Sequence, residues 1–366
     1  MIDRLECISY KDEKKLEELK NNNVNFIDFF DLQVDELCEA RNPSIRDNID
    51  EMMSKKKEYK AKYSKEKIYC YLPWKNLCVV CLSEDLFFEV RTARNRDLIT
   101  KKEQGNFRDA SIAIAGLSVG SNIARICVLQ GGPKKINIAD ADVIGLSNLN
   151  RIINGIDSIG KKKTQALAEK LYEMDPYLNI VEFDNGVNNK NVDDFIHNDG
   201  EVVKLIVEEV DDLPAKIVLR EYASKHKIPL FSITDNGDGI IVDIERYDED
   251  YEINDFYKRM EKIPKEKNNL KIQDIAKVVT NFIGVDDVDT NMLDSVSRVG
   301  KDIYSWPQVG GTAVLAGVVG AYIVRQILNE KKLSSGRYLI SLTDIFSIYG
   351  DDDKELRQEL LNYFKN

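Results

Sequence analysis

The stretch Ser111–Lys163, SIAIAGLSVGSNIARICVLQGGPKKINIADADVIGLSNLNRIINGIDSIGKKK, decides the fold. An apolar run, Ile112 to Ala115, leads into the small-residue turn Gly116-Leu-Ser118-Val-Gly120-Ser121, which opens a helix. A second apolar run, Ile136 to Ala139, ends on Asp140, 24 residues after Gly116. This is the opening of a nucleotide-binding βαβ unit: small residues let the backbone approach a phosphate, and an acid at the next strand end reaches ribose hydroxyls. Taken alone, the turn can also be a simple tight βα connection, and Asp140 or Asp142 a solvated strand-end acid.

Working outward, the cations set the chemistry. Asn148 and Arg151 fall within 11 residues of Asp140, and Lys163 comes 12 later. A guanidinium and an ammonium converging on one phosphate site supply charge where it builds up as pyrophosphate leaves. Lys161 and Lys162 can be a solvated helix start. Yet basic charge at a helix N-terminus opposes the helix dipole, a hint that an anion sits there. Further on, the strand LIVEE ends in Val210-Asp211-Asp212 before the helix LPAKIVLREYA. Asp211 reads either as that helix's N-cap or as a Mg²⁺ ligand, since phosphate-bound magnesium takes only one or two protein carboxylates.

Apolar runs and helical periods alternate from Ser111 onward, with strands at 111–115, 135–139, 178–183, 204–208 and 229–234. Helices read at 121–129, 161–174, 192–197 and 213–225. The fold class is therefore α/β: a Rossmann-like, mainly parallel sheet with helices on both faces, its ligand site at the carboxyl ends of the strands. Gly239–Tyr247 alternates like an exposed or edge strand. Residues 248 to about 300 read as helical surface insertions or a crossover segment. A buried helix at 312–328, a strand at 338–342 and a polar C-terminal helix complete the pattern. Residues 1–105 read as a smaller N-terminal α+β domain of unassigned role, and 106–366 as the nucleotide-binding domain with a variable insertion at 248–305. In the N-terminal part, Val24–Phe30 reads as a strand, 49–63 as a Lys-rich helix, and IYCYLPW and LCVVCLSEDLFFEV as two strands.

Composition narrows the partners. A net charge of −11 argues against nucleic acid or an anionic membrane, which need a basic surface. The N-terminus MIDRLECISY has no apolar signal core, and Gly310–Leu328, interrupted by Arg325, reads as too short to span a bilayer. A cytoplasmic chain with its six cysteines reduced is expected. Cys78-Val-Val-Cys81 has metal-ligand spacing, but no second pair follows, and within a strand the two thiols face opposite sides. The two histidines, His197 and His226, stand in charged, surface-like contexts.

Taken together these residues resemble the ubiquitin-activating-enzyme-like adenylyltransferases, which include ThiF-type sulfur-carrier activators and a microcin-maturing peptide adenylyltransferase. The resemblance rests on the Gly116–Ser121 turn, DxDxxxxSNLxR at Asp140–Arg151, GxxK at Gly160–Lys163, and the acid Asp211. It extends from about Arg91 to Leu328. It implies ATP and Mg²⁺ as cofactors, with Gly116, Ser118, Gly120, Asp140, Asp142 and Asn148 binding the nucleotide. Arg151 and Lys163 would hold the phosphates, and Asp211 the magnesium. Arg91-Thr-Ala-Arg94-Asn95 looks like the family's R-x-x-R-[QN] element, which makes Arg94 the candidate arginine entering a partner subunit's site and implies a homodimer. The implied activity is adenylylation of a substrate carboxylate, on a carrier-protein tail, a peptide or a small acid. Three departures stand out. Ser118 and Ser121 replace family glycines, the paired CxxC zinc site is absent, and no cysteine follows Cys127, so no internal thioester is expected. An NAD(P)-binding oxidoreductase, or a non-catalytic nucleotide-binding relative, are the alternatives. The first leaves Arg151, Lys163 and Asp211 without a purpose.

Overall fold

The computed structural model describes residues 5–249, 251–260, 280–348 and 353–365. The chain divides into two compact units, one of residues 1–109, 128–134 and 168–179, the other of 110–127, 135–167 and 180–366.

In the first unit, strands β1 (Glu6–Ser9), β2 (Asn25–Asp28), β3 (Lys67–Leu72) and β4 (Leu77–Leu82) form a sheet of order β1-β3-β4-β2. Helices Phe30–Arg41 and Ile49–Tyr63 bury Val34, Leu37, Met52 and Tyr59 against Val80 and Leu82 of β4. The stretch expected as one long strand after Leu77 breaks in two: β4 stops at Leu82, and Glu84–Arg91 is a helix. Ser83 stands at its N-cap position with Glu84 and Asp85 in the first turn, where carboxylates meet the positive end of the helix dipole. Leu86, Phe87 and Val90 then pack at helical spacing on the same core. The strand expected over Val24–Phe30 is shorter, ending at Asp28, because Phe30 opens a helix that sequence reading did not anticipate. The period of two along β4 puts Cys78 with Ile8, Leu16 and Leu19, and Cys81 on the other side.

The second unit is built on a seven-stranded sheet. Its strands include β5 (Ser111–Ala115), β6 (Lys135–Ala139), β7 (Asn179–Phe183), β10 (Leu205–Glu208), β11 (Leu230–Asn236), β12 (Gly239–Glu245) and β13 (Gly336–Ser341), in the order β13-β12-β11-β10-β5-β6-β7. The short pair β8 (His197–Asn198) and β9 (Glu201–Val202) lies outside it. Pairings β6–β5, β5–β10 and β10–β11 are parallel, and β12 and β13 add antiparallel strands at one edge. Every residue of β5 is buried, as a strand covered on both faces requires. On one face Leu219 and Ala223 of the Leu213–His226 helix pack with Ala113, Ala139 and Ile206. Elsewhere in the unit, Gly317 and Gly320 bring the Gly310–Leu328 helix against Asn122 and Ile123 of the Gly120–Leu129 helix, where a Cβ would come within 2.8 Å of either side chain.

Two expectations change. The Gly310–Leu328 helix, at 19 residues, is long and apolar enough to cross a membrane by length and composition, so brevity does not exclude that role; half of its apolar window is buried within the protein. Gly239–Glu245 is not an edge strand, since β11 and β13 flank it and almost all of it is buried. Its polar positions mislead because they are neutralised inside: Asp243 receives a two-pronged bond from Arg337, and Glu245 pairs with Arg220. Of the expected insertion, Ile253–Met260 and Thr290–Ser297 are helices, while 261–279 lies outside the described residues.

Candidate active site

The carboxyl ends of β5, β6 and β10 meet at Gly116. Its backbone is left-handed (φ 87°), and a Cβ there would lie 2.2 Å from the Glu209 carbonyl oxygen. Both the turn and the close approach demand glycine. The Gly116 amide donates to the Ala139 carbonyl at 2.8 Å, and the Leu117 amide to Asp140 Oδ2 at 2.8 Å. The helix then starts at Gly120, directly after this turn, and the Asn122 amide closes onto the Val119 carbonyl at 2.9 Å. Gly120 itself answers to packing, since a Cβ would sit 2.8 Å from Ile114.

Asp140 is buried at the end of β6, and its carboxylate organises the site. Oδ1 accepts from the Asp142 amide at 2.9 Å, while Oδ2 stands 3.4 Å from Lys163 Nζ. Lys163 is also buried and pairs with Asp142 at 2.8 Å. Lys163 is the first residue of its helix, so its charge opposes the helix dipole and the two aspartates compensate. Lys162 is spoken for, donating to the carbonyls of Ala141 and Asp184.

The segment Leu146–Asn150 is a short 3₁₀ helix, closed by the Asn148 side chain accepting from the Gly145 amide at 2.8 Å. It delivers Arg151, whose Nε donates to Ser118 Oγ at 2.8 Å and whose Nη1 donates to Asn150 Oδ1 at 2.9 Å. Partial burial pulls the guanidinium pKa down, opposed by the charges of Asp235 and Asp211.

At the end of β10 the two aspartates separate in role. Asp212 is the N-cap, accepting from the Ala215 amide at 3.0 Å. Asp211 is left outside the cap and exposed, and makes no hydrogen bond among the described residues. Its carboxyl pKa is raised, first by the protein around it, then by Glu208 and Asp140, against the pull of Lys216 and Lys163. Beneath it Glu208 is fully buried and held ionised by Lys216 at 2.8 Å and Arg220 at 2.7 Å, whose charges outweigh the desolvation. Glu209 has the opposite fate. Enclosure and the neighbouring Glu208 charge push its carboxyl well up, although Oε1 accepts from the Ile233 amide at 2.9 Å.

Two residues at this end of the sheet escape sequence reading. Asp235, in β11, is 8% exposed, and its pKa is raised to about 6, chiefly by burial. Gln308 donates to its Oδ2 at 3.1 Å, while the Gln308 carbonyl accepts from Asn150 at 2.8 Å. The signal was weak, because Asp235 lies in TDNGDG, which reads as a turn.

Asp140, Asp142, Asn148, Arg151, Lys163, Asp211 and the Gly116–Gly120 turn thus belong to one unit, linked by direct bonds or mutual electrostatics. Arg94 belongs to the other unit, exposed on the 3₁₀ helix Ala93–Asn95. The arrangement offers helix amides, two cations, and a carboxylate free to take a hard metal ion.

A sequence model of the ThiF family matches residues 92–344, about two-thirds of the chain. The chain belongs to the ThiF family. An uncharacterised Mycobacterium tuberculosis protein is 32% identical over 76% of this chain and 38% of its own length. The Saccharomyces cerevisiae tRNA threonylcarbamoyladenosine dehydratase 1 is 32% identical over 41% of this chain and 35% of its own. The chain therefore spans well under half of these curated relatives. A crystal structure of E. coli tRNA N6-threonylcarbamoyladenosine dehydratase shares 19% identity at a TM-score of 0.46, over 66% of this chain and 95% of that one. Such a distant likeness says nothing of substrate.

Proposed function

We propose that this ThiF-family chain is an adenylyltransferase: a substrate carboxylate attacks the α-phosphate of ATP, pyrophosphate leaves, and an acyl-adenylate remains bound. The observation that supports the reading best is Asp211, a carboxylate just past β10 that is spared from capping and lies within electrostatic reach of Arg151 and Lys163. A dinucleotide site for hydride transfer needs none of the three.

Asp140 binds the ribose hydroxyls, because a carboxylate offers about four lone-pair positions and its present partners leave some open. The turn 116–120 and the first-turn amides receive the phosphates, with Asn148 fixing the segment that aims Arg151. Arg151 and Lys163 neutralise charge as pyrophosphate departs, Lys163 exchanging its Asp142 contact for phosphate. Asp142 holds Lys163 in reserve. No general base is required, since a carboxylic acid is already ionised near neutral pH.

Asp211 fits magnesium as a hard oxygen donor. It has no hydrogen bond among the described residues to compete for the ion. Magnesium bound there would neutralise phosphate charge. Arg94 completes the site from a second copy in a homodimer. The acidic balance of the chain supports a protein, peptide or small-acid substrate over a nucleic acid.

Phosphorus NMR of Mg-ATP consumed with candidate carboxylates tests the reading. Pyrophosphate is the expected product, with AMP following as water hydrolyses the acyl-adenylate; ADP with inorganic phosphate overturns the reading.

A further inference from the structure

Beside Gln308 the surface opens into a groove of about 200 Å³, all of it in the second unit. Asp235, Asp238 and Asp289 line it together with Met292, Gln308 and Val309, and no Lys or Arg is among its described lining residues. Asp289 has one oxygen committed to the amides of Asn291 and Met292, and Asp238 is exposed. Asp235 is the informative one. It is more than nine-tenths buried, Gln308 satisfies only Oδ2, and Oδ1 has no hydrogen-bond partner. A buried carboxylate oxygen without a donor is costly, and native proteins leave few of them.

The groove is also coupled to the reacting end of the site. Gln308 bonds Asp235 with its side chain and Asn150, the neighbour of Arg151, through its carbonyl. Thr312 donates to the Gly237 carbonyl at 2.7 Å, tying the groove floor to the start of the Gly310–Leu328 helix. Asp235 and Arg151 feel each other's charge. Asp235 therefore links the charge of Arg151 to a groove that two further acids line.

We propose that this groove binds an ammonium or guanidinium group on the same substrate whose carboxylate is activated. The inference rests on the adenylylation reading and narrows its substrate class to carboxylic acids with a nearby cation, whether free amino acids or the C-terminal residue of a peptide. Acidic and neutral carboxylates leave Asp235 Oδ1 unsatisfied and gain nothing from Asp238.

Pro307 lines the groove, Trp306 beside it lines a small adjoining cavity that shares Asp235 and Met292, and the only other tryptophan is Trp74. In a Trp74→Phe background, Trp306 fluorescence reports occupancy. The probes are N-acetylated Ala-Ala-Arg, Ala-Ala-Leu and Ala-Ala-Glu, with 4-guanidinobutanoate and hexanoate separating peptide from free-acid sources. Cationic probes should bind at least about tenfold more tightly than their neutral and acidic counterparts. Asp235→Asn should remove the preference, and the surface change Asp238→Lys should shift it toward Ala-Ala-Glu. Equal binding of all probes, no saturable change with any, or indifference to Asp238→Lys overturns the proposal. Pyrophosphate exchange with the same panel separates the two claims. Exchange that is equally good with neutral acids sinks the groove and leaves adenylylation standing; cation-selective binding without exchange does the reverse.

Discussion

Arg151 and Ser118 are joined by a 2.8 Å hydrogen bond, so the cation nearest the glycine turn is clamped to the turn itself. Ser118 occupies a position where the resemblance to the adenylyltransferases expects glycine, and here the hydroxyl has a task. Ser118→Ala should free the guanidinium and lower carboxylate-dependent pyrophosphate formation by about three- to tenfold. Arg151→Ala should lower it by about a hundredfold or more, with the far-ultraviolet spectrum and melting temperature little changed.

Gly116 and Gly160 both hold a left-handed backbone, at φ 87° and 85°, but only Gly116 is crowded. Gly116→Ala drives a methyl into the Glu209 carbonyl and should cost about 3 kcal/mol or more. Gly160→Ala, with nothing within 4 Å, should cost about 1 kcal/mol of backbone strain alone. Urea midpoints at constant m-value measure both; equal losses would refute the packing argument.

Burial raises the Asp235 carboxyl from 3.8 to about 6. The native state thus keeps a proton that the unfolded chain has already released in that window. Its stabilising contribution is complete below about pH 4 and is lost as pH rises through about 6. A shift of that size corresponds to about 3 kcal/mol at most. Asp235→Asn should abolish this share of the slope and so gain on the wild type between pH 4 and pH 7 in urea titrations. A constant difference across that range would show that Asp235 is not protonated in the fold.

Arg220 is 2% exposed on its side chain between Glu208 and Glu245, and its guanidinium lies 4.4 Å from the Phe256 ring centre. Arg220→Ala should destabilise by about 3–5 kcal/mol, since it removes the shared cation from two buried carboxylates, Glu208 at the end of β10 and Glu245 at the end of β12. Replacement of Glu208 by Gln in the same background should recover part of the loss, as read by thermal unfolding.

If Arg94 serves a second copy, inactive Arg94→Ala and Arg151→Ala proteins should complement one another when unfolded and refolded as a mixture. About a quarter of the wild-type sites are then intact. No recovery would place Arg94 within its own chain's site or outside the chemistry.

The sequence was most legible where burial is two-sided. The runs 111–115 and 135–139 match β5 and β6 residue for residue, because strands covered on both faces read as largely apolar stretches, here broken inside only by Asn137. It was least legible where one element passes into another without a break, as at Leu82–Glu84, where the alternation of β4 continues into the first apolar residues of a helix. Adjacent aspartates also defeat reading by spacing. Only the position of the first helical amide shows that Asp212 caps and Asp211 does not. Asp235 and Gln308, 73 residues apart, are brought together by β11 and the approach to the Gly310–Leu328 helix, a long-range pairing with no local signature.

The most direct test of the central claim is ATP–pyrophosphate exchange across a panel of carboxylates, with wild-type protein and the Arg151→Ala and Asp211→Ala variants side by side. The account predicts exchange that depends on both Mg-ATP and a carboxylate in the wild type, and its loss in both variants while they remain folded. Full ATP turnover in both variants, or wild-type protein that exchanges with no carboxylate, would contradict it.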